Sequence, residues 1–224
     1  MVPRTLQSAW AVAWRRETLL PSAIGTVGSW LAYGWIGADA GMGGLSALSL
    51  FALGAALAVR FWLGLSVSMT AVDILRAERQ WVPFYPVPPV LALQAAFVSA
   101  CLILPILAGA LFLIVPGVFL ALRWSQAPML IADRRAEWFG AAGDSAVVVR
   151  GQKLDILAIW LIVGAALAVA AWFDGIAAAM LAAAGAPTLF GTALSLILRI
   201  SADAFGLALT GATYHQLDTM TREP

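Results

Sequence analysis

Apolar and polar positions alternate in this chain on the scale of whole helices, not single turns. Six apolar runs, at 19–36, 45–72, 90–114, 116–131, 156–173 and 188–214, are separated by short polar stretches. Roughly 20 consecutive apolar residues suffice to cross a bilayer as a helix, so the pattern predicts six transmembrane helices. The second run continues helically to Leu75, and a helix from 45 to 75 is about 46 Å long at 1.5 Å per residue. Its end therefore leaves the roughly 30 Å hydrocarbon core near Asp73 and Arg76.

Two segments are too polar to span and read instead as interfacial helices. In 3–16, Leu6, Trp10, Ala13 and Trp14 fall on one helical face, with Arg4, Gln7 and Arg15 towards the other. In 137–153, Trp138 and Phe139 are followed by Val147 to Val149, with Arg150 and Lys153 placed to face headgroups. Trp30, Tyr33 and Trp35 form an aromatic anchor at the far end of the first span. That span is too long and too rich in tryptophan for a signal peptide, so Ala38-Asp39-Ala40 is not expected to be a cleavage site. The loop 76–89 carries Trp81, Tyr85 and four prolines and reads as a constrained connector. The third and fourth spans are joined by a turn at Pro116-Gly117, and the connection 174–187 is alanine-rich enough to be helical. Gly54 and Ala58, Gly64 and Ser68, and the stripe Ala202, Gly206 and Thr210 offer close helix contact.

Charge orients this bundle. Arg4, Arg15, Arg16, Arg76, Arg79, Arg134, Arg135, Arg150, Lys153 and Arg222 all fall on one side of the six-span arrangement. The three opposite connections hold no lysine or arginine. The positive-inside rule then places both termini in the cytoplasm. No internal repeat of the kind that builds inverted-repeat transporters is visible.

Composition narrows the chemistry. The chain has 224 residues, 62% apolar and 11% charged, which excludes an ordinary soluble domain. A net charge of +1 gives no field for nucleic acid. One cysteine, Cys101, and one histidine, His215, permit neither an intramolecular disulfide nor a Cys/His metal site, and no cofactor motif is present. His215 reads as an interfacial side chain at a helix C-terminus. No HExxH, P-loop or GxSxG motif occurs. The pair Asp133 and Asp144 lies amid Arg134, Arg135 and Arg150 and reads as surface ion pairing.

Charges inside spans carry the most information, because they face a bundle interior or a watery cavity. From the outer end of each span, Arg60 lies roughly 22 Å deep, Arg123 14 Å, Arg199 17 Å and Asp203 23 Å. Arg199 and Asp203 are four residues apart and can pair within one helix, leaving Arg60 and Arg123 without an acid at their depth. Either Arg60 snorkels and Arg123 bonds carbonyls freed around Pro128, or the surplus positive charge holds an anionic group such as a lipid phosphate. The guanidinium fork suits phosphate oxygens.

The stretch 116–151 resembles the membrane domain attached to some bacterial glycerophosphoryl diester phosphodiesterases, and the related YciC-like inner-membrane proteins. The matching residues are Pro116-Gly117, Arg123, Pro128, Asp133, Ala141, Ser145 and Gly151, with Tyr214 and Leu217 resembling the end of the family's last span. Asp133 stands where glutamate is usual, and Gly143 where the surface helix is richer in leucine or lysine. The resemblance implies a six-span protein of the bacterial cytoplasmic membrane, of a kind at times linked to lipid metabolism by fusion. The phosphodiesterase catalytic domain is not in this chain, so that activity does not carry over. Three functions are left open: a non-catalytic protein that binds or organises lipids, or supports a protein partner or homo-oligomer; a small transporter or permease subunit; and a membrane-embedded lipid enzyme. A water-filled path along Arg60, Arg123 and Asp203 would favour transport. A lateral opening beside Arg123 would favour lipid binding.

Overall fold

A computed structural model describes residues 1–41, 46–77, 84, 86–183 and 188–222. Among them there is no strand. The helices are α1 (Val2–Ala13), α2 (Arg16–Gly41), α3 (Ala47–Ala77), α4 (Pro89–Phe112), α5 (Ile114–Trp124), α6 (Ala127–Ala132), α7 (Gly140–Val148), α8 (Lys153–Ala183) and α9 (Thr188–Arg222). Four stretches among the described residues are long and apolar enough to cross a membrane: Ala47–Ala77, Pro89–Phe112, Ile114–Ala132 and Ser195–Thr221. Leu45, Arg79, Trp81, Tyr85 and the last residues of the 174–187 connection lie outside the described residues.

The frame is a three-helix unit of α2, α3 and α9, each packed on the other two. Small residues bring α3 and α9 together. Gly64 leaves room for Leu207, and Ser68 donates its hydroxyl to the Leu207 carbonyl at 3.0 Å. A Cβ on Gly211 would stand 2.3 Å from the Ser68 carbonyl oxygen, so backbone meets backbone there. The Gly64–Ser68 contact was legible from spacing. Gly54 and Gly206, in contrast, face open space, and the residue that carries the close approach on α9 is Gly211.

Helix α1 lies along α9 and touches α8. It buries Thr5, Ala9, Val12 and Ala13, small side chains that allow close packing, while Trp10 and Trp14 turn outward edge to face at 5.3 Å. The buried face is therefore displaced from the one drawn through Leu6, Trp10, Ala13 and Trp14.

The fourth apolar run is not one helix. It begins at Ile114 with Pro116 in the first turn, and breaks at Ser125–Gln126, just before Pro128. Helices α4 and α5 form a tight hairpin turned by Leu113 alone, whose backbone is extended. Gly117 is obligatory in this turn, because a Cβ there would lie 2.6 Å from the Ala110 amide nitrogen. The core sits between α3, the base of α4, α6 and α9, with Leu65, Met69, Val72, Val98, Met129, Ile131 and Tyr214 buried together. Val87 fastens the entry to α4: its N–H reaches the Ser66 hydroxyl at 2.9 Å, and Trp62 donates to its carbonyl at 2.7 Å.

Helix α6 ends in a Schellman motif, with the amides of Arg134 and Arg135 bonding the carbonyls of Ile131 and Leu130. Arg134 occupies the left-handed position at φ 56°, where glycine is usual. The helical part of the surface segment 137–153 is the shorter α7, and Gly151, at φ 84°, turns the chain into α8. A side chain at that φ would be strained, which accounts for glycine there. Helix α8 continues past Phe173 to Ala183, so most of the connection 174–187 is helical.

Candidate functional site

The four intramembrane charges do not form one cluster. Asp203 on α9 faces Arg60 on α3, whose Nη2 lies 2.8 and 2.7 Å from the two carboxylate oxygens. Nη1 of Arg60 donates to the Ser29 hydroxyl at 2.8 Å, and Thr26 donates to Asp203 at 2.5 Å. Both hydroxyls come from α2, so a single neutral group ties together the three helices of the frame. The expectation that Arg60 lacks an acid at its depth is corrected here. The signal was in the depth count, since Arg60 and Asp203 fall within about one ångström of each other. It was passed over because pairing was sought along one helix instead of across helices. Arg199 lies one turn before Asp203 on α9, and its side chain is exposed.

Arg123 is elsewhere. Helix α5 packs on α4, α7 and α8, not on the α2–α3–α9 frame. Its guanidinium is exposed and borders an open cavity of about 340 Å³ shared with Gly143, Ala146, Val147, Arg150 and Lys153. Three cations from α5, the α7–α8 turn and the first residue of α8 thus meet at one opening. Among the described residues none of the three has an acid within salt-bridge distance. The Lys153 ammonium sits 4.0 Å from the centre of the Phe119 ring, a cation–π contact that fixes its position over the hairpin.

Arg123 does not satisfy the carbonyls freed near Pro128; Ser145 does. Fully buried on α7, Ser145 donates its hydroxyl to the Arg123 carbonyl at 2.9 Å and accepts from the Gln126 amide at 3.1 Å. One hydroxyl therefore spans the α5–α6 break just before Pro128, through the backbone of residues 123 and 126.

A second polar constellation lies where α3, α6 and α9 end. Arg76 grips Asp133 with two bonds of 2.8 and 2.7 Å and reaches Asp218 at 3.0 Å. Tyr214 donates to Asp133 at 2.8 Å, and Arg135 pairs with Asp218. Burial would raise the Asp133 carboxyl, but the Arg76 guanidinium and the Tyr214 hydroxyl outweigh it and hold it below the ordinary carboxylate range. Asp144, its expected companion, is exposed on α7. The residues engaged here form a staple between helix ends, with every acid already matched by an arginine.

No protein family, curated protein or solved structure matches this chain.

His215 lies on α9 beside Tyr214. Its Nδ1 is buried without a hydrogen-bond partner among the described residues, as is the Gln126 carbonyl oxygen.

Proposed function

We propose that this protein binds an anionic lipid at the membrane surface, with Arg123, Arg150 and Lys153 receiving the phosphate. The carrying observation is the opening lined by three cations and no acid. Uncompensated cations at a bilayer surface attract anionic headgroups by about 1 kcal/mol each, so three give on the order of a hundredfold preference over a zwitterionic surface. The opening lies between α5, α7 and the start of α8, and beside an apolar hairpin it suits a lipid better than a solute. Transport is less well supported, because Arg60 and Asp203 neutralise each other within the frame instead of lining a path with Arg123. A lipid enzyme would need a nucleophile and a base, and Asp133 and Asp218 are both engaged by arginines.

In this reading the chain is a polytopic protein of a bacterial cytoplasmic membrane, both termini cytoplasmic, related to the membrane domains that its 116–151 motif resembles. The lipid site lies on the cytoplasmic leaflet, with Arg60, Asp203 and Arg199 outside it.

Native mass spectrometry of the purified protein titrated with phosphatidylglycerol or phosphatidylcholine tests the reading. Wild type should retain phosphatidylglycerol selectively. Arg123→Leu should lose most of that selectivity, and Arg123→Lys less, since the charge is kept while the planar fork is lost. A folded Arg123→Leu protein with unchanged phosphatidylglycerol retention would end the proposal.

A further inference from the structure

The tip of the α4–α5 hairpin, from Leu111 to Val115, is exposed throughout. From 100 to 122 no side chain is charged, and only Cys101 carries a heteroatom. Leu111 is 86% exposed, Phe112 87% and Val115 78%. Such a surface belongs in lipid. The remaining matter is whether it crosses the bilayer or turns back inside it.

Two anchors, one on the main chain and one between aromatic rings, set its depth. The Arg123 carbonyl is bonded by Ser145 of α7, and this is a main-chain contact that a snorkelling side chain cannot imitate. On the other arm, Phe97 packs against Trp138 and Phe139 at ring distances of 5.9 and 6.2 Å. Both anchors belong to the surface elbow, which is flanked by Arg134, Arg135, Glu137, Arg150 and Lys153 and precedes the apolar run beginning at Ile156. From Arg123 to Ile114 is nine helical residues, so the tip lies within about 14 Å of that anchor whatever the tilt of α5. From Phe97 to Phe112 is fifteen residues, or about 23 Å. Both fall short of a hydrocarbon core of roughly 30 Å.

We infer that α4 and α5 form a re-entrant hairpin that inserts into one leaflet, the one on which α7 lies, and is covered by the acyl chains of that leaflet. The runs 90–114 and 116–131 are then one wedge instead of two crossings, and both termini keep the same side. The turn suits lipid. Only Leu113 leaves helical geometry, and its N–H bonds the Gly109 carbonyl at 3.0 Å. Pro116 removes one of the amides that the start of α5 would otherwise leave unpaired. A tip reaching the far surface would present Leu-Phe-Leu-Ile-Val to water, without the Trp or Tyr that mark interfaces. The cations Arg123, Arg150 and Lys153 collar the base, where phosphates lie. The inference concerns depth, and it stands whether or not those cations bind one lipid specifically.

The test uses the full chain carrying Cys101→Ala, with Phe112→Cys and, separately, Val115→Cys. In sealed membrane vesicles of either orientation, a membrane-impermeant maleimide should label neither tip, while both label fully in detergent. A fluorophore then attached at the tip and reconstituted should be quenched by lipids bearing a nitroxide on the acyl chain and little by a headgroup quencher. Labelling from the side opposite α7 would show a full crossing and overturn the inference. Labelling from the α7 side would place the hairpin in water, with the same consequence. A tip protected from maleimide yet unquenched by any lipid would be covered by a second copy of the chain, which also overturns it.

Discussion

Removing Asp203 should destabilise this protein more than removing any other single carboxylate in its spans. In the folded state Arg60 directs one nitrogen at both Asp203 oxygens, at 2.8 and 2.7 Å, and another at Ser29. Asp203→Leu leaves a guanidinium inside a span with only a hydroxyl to meet it. An arginine at a helix centre costs about 2.5–3.5 kcal/mol on insertion scales. The side chains of Arg60 and Asp203 are 40% and 29% exposed within the protein, so some of that cost is relieved by reorientation. We expect about 2 kcal/mol for Asp203→Leu and a similar loss for Arg60→Leu. The double variant should lose less than the sum by about 1.5 kcal/mol, because no unpaired charge is left behind. Unfolding in mixed micelles of increasing denaturing detergent, followed by the emission of the ten tryptophans, measures all three. Strict additivity of the two single variants, with coupling below about 0.5 kcal/mol, would refute the argument that the pair ties α2, α3 and α9 together.

The Asp133 staple should make stability depend on acid. Its folded carboxyl is held below the ordinary 3.8, so its contribution is complete above that value and disappears as pH falls through the depressed one. Wild type should lose stability relative to Asp133→Asn on acidification below about pH 4, while at pH 7 the variant is weaker by about 2 kcal/mol; parallel stability profiles for the two proteins from pH 7 to 3 would count against it. Ser145→Ala should cost about 1–3 kcal/mol, because the Arg123 carbonyl and the Gln126 amide both lose their partner at the helix break. Thermal unfolding identical to wild type would mean that the break is satisfied in another way.

Although α8 runs ten residues past Phe173 and the fourth run is two helices, long apolar runs were enough, from the sequence, to establish a helical chain with stretches long and apolar enough to cross a membrane. That is because desolvating a backbone in lipid forces helical hydrogen bonding wherever the chain is apolar. Of the residues singled out in the sequence, Arg60, Asp203, Asp133 and Ser145 make side-chain bonds between helices, and Gly151 turns the chain at positive φ. Their partners were decided by tertiary structure. Arg60 meets Asp203 across 143 residues, and Arg76 meets Asp133 across 57. Such contacts depend on which faces of separate helices pack, and α3 and α9 show little contrast between faces, leaving periodicity with little to discriminate one face from another. The break at Ser125–Gln126 and the gathering of Arg123 with Arg150 and Lys153 depend on how α7 packs against α5 and α6. Counting residues along a span measures depth only if the span is one straight helix. In the run that holds Arg123 it is two, and the hydroxyl that makes the bend affordable comes from a third.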